Sequence, residues 1–122
     1  MAKKILVVDD EADIRNSIKA LLEYEGYEVW AAEDGKECLS MLKKNKFDLA
    51  LIDFFMPIMS GRELAERIRA DKKLKSLKII FLTGATFSEA GMKELNKIKI
   101  SDYIKKPFDN KDLVKRIKNI IG

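Results

Sequence analysis

Apolar residues along the chain gather in short runs bounded by polar turns: Ile5 to Val8, Tyr27 to Ala31, Leu49 to Ile52, Ile79 to Leu82, and Tyr103 to Ile104. Each run reads as a strand. The first, third and fourth lack the alternation of a half-exposed strand, which predicts inner strands buried on both faces. Between the runs the apolar spacing becomes helical. Ile14, Ile18, Leu21 and Leu22 share one stripe, and Gly26 follows it where a helix C-terminus favours a residue free to take positive φ. Four more stripes come from Leu39 and Leu42, from Leu64, Ala65 and Ile68, from Met92, Leu95 and Ile98, and from Leu113, Ile117, Ile120 and Ile121. Asp109, Asn110 and Asp112 offer capping or acidic side chains at the start of the last.

Strand and helix thus alternate five times at intervals of roughly 20 to 30 residues, a pattern that implies parallel strands joined by right-handed helical crossovers. The fold class expected is α/β: a doubly wound five-stranded parallel sheet, order 2-1-3-4-5, with five helices on its two faces. In such sheets ligands bind beyond the carboxyl ends of the strands, where the winding reverses between strands one and three. The 122 residues fit a single domain, 1–122, and no repeat or linker interrupts the pattern.

Composition narrows the chemistry. Hydrophobic residues at 47% and charged residues at 36% describe a globular chain, and no apolar run approaches the roughly 18 residues of a membrane span. Ile5 to Val8 is too short for a signal peptide, so a cytoplasmic location without membrane contact is expected. Histidine is absent, which excludes a histidine phosphocarrier, a Ser-His-Asp triad and histidine-ligated metals. The single cysteine, Cys38, rules out an internal disulfide and reads as a small buried side chain. The net charge of +4 is unevenly distributed. Residues 1–71 carry 11 basic and 15 acidic side chains, against 13 and 5 in residues 72–122. The excess lysines fall at helical positions, where a solvated surface accounts for them, and no zinc-finger or RNA-binding motif supports nucleic-acid binding.

The strand ends carry the polar residues. Asp9-Asp10-Glu11 follows strand one, Asp53 strand three, Thr83-Gly84 strand four, and Lys105-Lys106-Pro107 strand five. Three carboxylates about 4 Å apart repel by about 1 kcal/mol per pair in water and roughly 4 kcal/mol at an effective dielectric of 20. With only oxygen ligands at hand, the ion that offsets this is a hard divalent cation such as magnesium, which also accepts phosphate oxygens. A lysine ammonium, a threonine hydroxyl and a glycine amide suit a phosphoryl group in the same place. A carboxylate can itself attack phosphorus to give an acyl phosphate, and Asp53, fixed by the apolar Leu49 to Ile52, is the central candidate. An acid directly after such a strand is costly without a metal or donor.

Asp9-Asp10, Asp53-Phe-Phe-Met-Pro57, Gly61, Thr83 and Tyr103-Ile-Lys-Lys106-Pro107-Phe108, taken together and in order, resemble the receiver-domain signature of two-component response regulators, nearly end to end. The flavodoxin-like 2-1-3-4-5 order is itself known from a chemotaxis regulator of that family, so the topology and the resemblance are not independent. The resemblance implies that Asp53 accepts a phosphoryl group from a sensor histidine kinase or a histidine phosphotransfer protein. It implies Mg2+, with Mn2+ able to substitute, held by Asp10, Asp53 and the backbone carbonyl of Phe55, with Asp9 helping through water. Lys106 would pair with the phosphoryl group, Thr83 would hydrogen-bond to it, and the backbone amides of Phe55 and Gly84 would cradle it. Thr83 and Tyr103 would act as the switch, changing the partners of the helix-four, strand-five and helix-five face. The chain would be a signalling switch that catalyses only its own phosphorylation and dephosphorylation, not an enzyme acting on a separate substrate.

Departures from the pattern matter. Phe55 and Ala85 stand where the family tunes the lifetime of the acyl phosphate, and neither can hold a water in line with phosphorus, so slow self-dephosphorylation is expected. Gly84 replaces a commoner alanine, and Lys97-Ile-Lys-Ile-Ser101 replaces a small-residue turn, which points to an unusual helix four. Asp102, Asp112 and Arg116 match part of a charge set through which one branch of the family dimerises, which would imply a phosphorylation-dependent homodimer. Lys105 is expected to face solvent. Competing readings are a receiver-like scaffold that is never phosphorylated, and the amino-terminal receiver of a longer regulator. A dehalogenase-like phosphatase would want Asp-x-Asp after strand one, and a flavin protein a hydroxyl-rich loop there; neither is seen.

Overall fold

The computed structural model describes residues 2–122. Five strands, β1 (Lys4–Val8), β2 (Glu28–Ala32), β3 (Leu49–Asp53), β4 (Lys78–Thr83) and β5 (Asp102–Lys105), alternate with five helices. The helices are α1 (Ala12–Tyr24), α2 (Gly35–Lys44), α3 (Gly61–Ala70), α4 (Glu89–Lys97) and α5 (Asn110–Ile121), and a 3-10 turn, Lys72–Leu74, follows α3. Every neighbouring pair of strands is parallel and the order is β2-β1-β3-β4-β5, as the alternation predicts.

The continuous apolar runs are explained by two covered faces. In β1, β3 and β4 the side chains of Ile5, Val7, Leu49, Leu51, Ile80 and Leu82 join Ile18 and Leu22 of α1 and Leu113 and Ile117 of α5. Their alternates Leu6, Val8, Ala50, Ile52, Ile79 and Phe81 join Cys38 of α2, Leu64 and Ile68 of α3, and Leu95 of α4. A period of two therefore feeds two cores at once, and no position within Ile5 to Val8, Leu49 to Ile52 or Ile79 to Leu82 can be polar without cost. Cys38 is fully buried in the second core, and burial pushes its thiol up to about 12, in keeping with a packing role.

Helix ends are set by side chains close in sequence. Asp34, Ser60 and Ser88 each accept a hydrogen bond from the backbone N–H three residues on, at 2.8, 3.1 and 3.1 Å, opening α2, α3 and α4. Asp109 caps α5 by accepting from Lys111 N–H at 3.1 Å. Helix α1 closes at Gly26, whose φ is +97°. Its N–H donates to Glu23 at 3.0 Å, while Tyr27 N–H donates to Leu22 at 3.1 Å, the paired bonds of a Schellman closure. The unusual segment after α4 takes a related form, with Lys99 at φ +60° and the Arg69 guanidinium donating to the carbonyls of Ile98 and Lys99 at 2.9 and 3.0 Å.

A Cβ on Gly26 would meet nothing within 4 Å, so its replacement tests backbone conformation alone. Gly26→Ala is expected to lower stability by about 1–2 kcal/mol, read as a lower urea midpoint with an unchanged m-value; an unchanged midpoint would show that the left-handed closure contributes nothing.

Candidate functional site

The register that pairs Val8 with Ile52 leaves Asp9 and Asp53 as the next neighbours at the carboxyl edge of the sheet. Both keep the parity of Ile5, Val7, Leu49 and Leu51, so their side chains emerge on the same face. Asp9 is fully buried and Asp53 is 5% exposed, whereas Asp10, in the turn leading to α1, is exposed. Carboxylate oxygens of Asp9, Asp10 and Asp53 lie within 4.8 Å of one another. The set is all oxygen and anionic, with one member open to solvent, which suits a hard divalent cation that keeps some of its waters. Asp9, Asp10 and Asp53, the carboxylates expected to hold a metal, therefore lie together.

Lys106 completes the cluster. Its ammonium lies 3.4 Å from an oxygen of Asp9 and 3.4 Å from an oxygen of Asp53. Burial pushes the Asp53 carboxyl up to about 6, the charge of Asp9 adds to that rise, and Lys106 opposes it. One ammonium is thus shared between two buried carboxylates. Asp9 is held from two further directions. Its Oδ1 accepts from Glu11 N–H at 2.9 Å, and its backbone carbonyl accepts from Arg15 Nη1 at 2.8 Å. The N-cap of α1 is Glu11, with no side-chain cap bond, so Asp9 and Asp10 serve the cluster and do not cap the helix.

The remaining residues are placed around this edge in different ways. Thr83 ends β4 fully buried, and its hydroxyl oxygen accepts from Ala85 N–H at 3.0 Å, which leaves the hydroxyl proton free to donate. Its carbonyl accepts from Lys106 N–H at 2.8 Å, tying β4 to the site lysine. Gly61 must be glycine, because a Cβ there would come within 2.5 Å of the Asp53 carbonyl oxygen. At Gly84 a Cβ would meet no protein atom within 4 Å, so no contact within the chain demands that glycine. Phe55 lies in the loop after β3 with its ring 59% exposed and edge-on to Phe54 at 5.0 Å between centroids. Lys105 is exposed and donates to the Thr86 hydroxyl at 2.9 Å, pointing away from the carboxylates as expected.

Tyr103 does not enter the cluster. It packs edge-on to Phe87 at 5.7 Å, and Phe87 packs against Phe54 at 5.1 Å, so aromatic rings connect the residue after Asp53 to Tyr103. Sequence reasoning missed Phe54, Phe87 and Arg15. Phe54 stands beside Asp53 and was open to notice, whereas Phe87 and Arg15 matter only through contacts distant in sequence.

A family model described as the response regulator receiver domain matches residues 5–118. The transcriptional regulatory protein CrdR of Helicobacter pylori is 42% identical over 122 residues, covering 100% of this chain and 56% of that protein. The phosphate regulon transcriptional regulatory protein PhoB of Pseudomonas aeruginosa is 38% identical over 99% of this chain and 52% of its own length. The chain spans about half the length of these curated relatives. Among solved structures, the chemotaxis protein CheY4 of Vibrio cholerae superposes with a TM-score of 0.92 at 32% identity, covering 98% of this chain and 99% of that one. A CheY-like receiver domain protein from Methanospirillum hungatei gives 0.85 at 33% identity over 98% and 94%. With five parallel strands in the order these relatives share and an acidic cluster at their carboxyl edge, the chain belongs to the response regulator receiver domains of two-component systems.

Proposed function

We infer that this receiver accepts a phosphoryl group on Asp53 from a phosphohistidine of a sensor histidine kinase or histidine phosphotransfer protein. The observation that carries the reading is the shared ammonium of Lys106, 3.4 Å from both Asp9 and Asp53, beside three carboxylates within 4.8 Å. In the reaction an Asp53 oxygen forms its bond to phosphorus as the phosphorus–nitrogen bond of the donor breaks, and the freed imidazole takes up a proton. Bound Mg2+, or Mn2+ in its place, would be held by Asp10, Asp53, the Phe55 carbonyl and, through water, Asp9, and would draw charge from the phosphoryl oxygens. Lys106 would exchange its contact with Asp53 for one with a phosphoryl oxygen. The free Thr83 hydroxyl proton and the amides of Phe55 and Gly84 would meet the others.

An apolar groove of about 560 Å3 runs beside Lys106, lined in part by Ile14 and Ile18 of α1 and by Pro107 and Phe108. It is a fitting seat for the donor protein. On the other side, movement of Thr83 toward a phosphoryl group would release space beneath Tyr103 and alter the face made by α4, β5 and α5 for a downstream partner. Arg116 already bonds both Asp102 oxygens at 3.1 and 2.9 Å and Asp112 at 2.9 Å within its own chain. A phosphorylation-dependent homodimer built on these charges would exchange those bonds, which partly exposed ion pairs do at little cost, and it stands beside a different downstream protein as a partner of this face. The chain acts as a cytoplasmic switch that turns over only its own phosphoryl group. A second reading, favoured by relatives of about twice the length, makes it the receiver portion of a longer regulator. No helix among the described residues is long and apolar enough to cross a membrane.

Intact mass after incubation with acetyl phosphate is expected to rise by about 80 Da, the mass of one phosphoryl group, only with magnesium present and not in Asp53→Asn. No gain in the parent would leave an unphosphorylated scaffold as the reading.

The buried carboxylates set a stability test. The Asp53 carboxyl is raised from 3.8 to about 6, so the folded state binds more protons than the unfolded state in that window, and metal-free stability falls as pH rises through it. Metal-free Asp53→Asn at pH 7 is expected to be more stable than the parent by on the order of 2 kcal/mol, with the gap closing toward pH 4. Magnesium is expected to raise the melting temperature of the parent far more than that of the variant. Equal response of both to pH and to magnesium would remove Asp53 from the ion site.

Phe55→Asn is expected to lose its phosphoryl group faster than the parent, because an amide can hold a water that a phenyl ring excludes. Equal decay of the two aspartyl phosphates, followed by mass, would show that the ring does not protect the bond.

A further inference from the structure

At the end of the sheet opposite Asp53, the C-terminal turns of α3 and α4 and the 3-10 turn between them enclose a hollow of about 330 Å3. It is lined by Arg69, Lys75, Lys97 and Lys99. All four side chains are cationic, and the three lysines are exposed. Lys97 shares its charge with Glu94 at 3.0 Å, while among the described residues neither Lys75 nor Lys99 makes an ion pair.

Helix dipoles account for part of this. Each helix C-terminus carries about half a negative charge, so α3 and α4 together offset about one of the four, and Glu94, which also pairs with Arg62 at 3.3 Å, offsets at most another. About two positive charges remain without a partner. Arg69 also prepares the hollow for an anion. Its guanidinium donates to the carbonyls of Ile98, Lys99 and Leu74 at 2.9, 3.0 and 3.3 Å. Those oxygens would otherwise turn their negative ends toward the space. Lys99 sits at φ +60°, just past the end of α4, where glycine would hold the same backbone at less cost. Backbone geometry therefore does not explain why a lysine stands there.

We propose that this hollow is a binding site for a short polyphosphate chain, free or as the tail of a nucleotide. Its volume is at the lower end of ligand cavities. The ammonium groups are rooted in separate places, Lys75 after the 3-10 turn and Lys97 and Lys99 at the foot of α4, an arrangement that suits successive phosphates better than one. Lysines bind phosphate as mobile point charges, so loosely placed ammonium groups are no obstacle. A concave pocket of this size favours a small chain over the backbone of a duplex. Bound there, the chain would tie the end of α4 to α3.

The test is calorimetric titration of the full chain, without magnesium, with sodium tripolyphosphate, with ATP, and with a short DNA duplex. Hydrogen exchange is followed with and without tripolyphosphate. Tripolyphosphate is expected to bind, to slow exchange of amides 94–99, and to bind at least about tenfold more weakly, a loss of about 1.4 kcal/mol, to a Lys75→Gln, Lys99→Gly double variant. Lys99→Gly relieves the left-handed strain and is expected to melt no lower than the parent, so weaker binding in it is not a folding defect. ATP binding more tightly than tripolyphosphate supports the nucleotide form of the ligand, and weaker ATP binding supports the free chain. Undiminished affinity in the double variant, protection confined to other segments, or duplex binding through these lysines without tripolyphosphate binding would each overturn the proposal.

Discussion

Two aspartates are buried side by side at the carboxyl edge of this sheet, and one lysine stands between them. Asp9 and Asp53 repel at close range in a setting poor in water, and an unpaired carboxylate there costs several kcal/mol. Lys106 supplies one positive charge at 3.4 Å to each. With Asp10 beside them the local sum remains negative by two charges, counting three carboxylates and one ammonium. The sheet tolerates this because its position is over-determined. β1 and β3 are fixed by two apolar cores, and Lys106 is tied to β4 through its own backbone N–H. The fold thus holds in place an arrangement that its own electrostatics oppose, an imbalance that a divalent cation could offset.

The same edge is joined mechanically to the surface that faces away from it. Phe54 follows Asp53 directly, and its ring meets Phe55, Phe81 and Phe87 edge-on at 5.0, 5.1 and 5.1 Å. Phe87 then meets Tyr103 at 5.7 Å. Phe54, Phe87 and Tyr103 are partly buried against the core, so their rings form one continuous line of contact from the loop after β3 to β5. Thr83, whose hydroxyl holds Ala85 at the start of the same loop that carries Phe87, is attached to the other end of that loop. The aromatic rings and the β4–α4 loop therefore meet at Phe87, which packs against Tyr103.

Much of this was legible in the sequence because parallel sheets encode themselves twice. Continuous apolar runs at Ile5 to Val8, Leu49 to Ile52 and Ile79 to Leu82 announce burial on two faces, and each polar interruption then marks a strand end. Asp9, Asp53, Thr83 and Lys106 could be brought to one edge by counting alone, since every strand of such a sheet points the same way. Each strand boundary falls within one residue of its expected place. What could not be counted is contact between segments far apart in the chain. Arg69 reads as one more helix-surface cation until its guanidinium is seen against the carbonyls of Ile98 and Lys99, about 30 residues away. At Gly84 no protein atom lies within 4 Å of where a Cβ would stand, so the reason for a glycine there is not a contact within the chain.

The lysine-rich second half of the sequence gains a different meaning once it is folded. Parallel topology sends every helix N-terminus to the carboxylate edge and every helix C-terminus to the opposite one. Asp34, Glu37, Glu63, Glu89, Asp109 and Asp112 fall at helix starts, and Lys43, Lys44, Arg67, Arg69, Lys97 and Lys118 in last turns. These side chains are the helix dipole written into sequence and need no ligand, but with three acids and four bases before residue 72 and three acids and two bases after it they do not produce the difference between the two halves. That account reaches its limit where the cations continue past the helix ends. Lys72, Lys73, Lys75 and Lys99 lie beyond α3 and α4, yet the dipoles they could offset sum to only about one charge. An excess of this kind is repulsive unless something negative shares the surface, and it lies beyond the ends of α3 and α4, the second of which the aromatic cluster reaches where Phe87 sits beside Gly91.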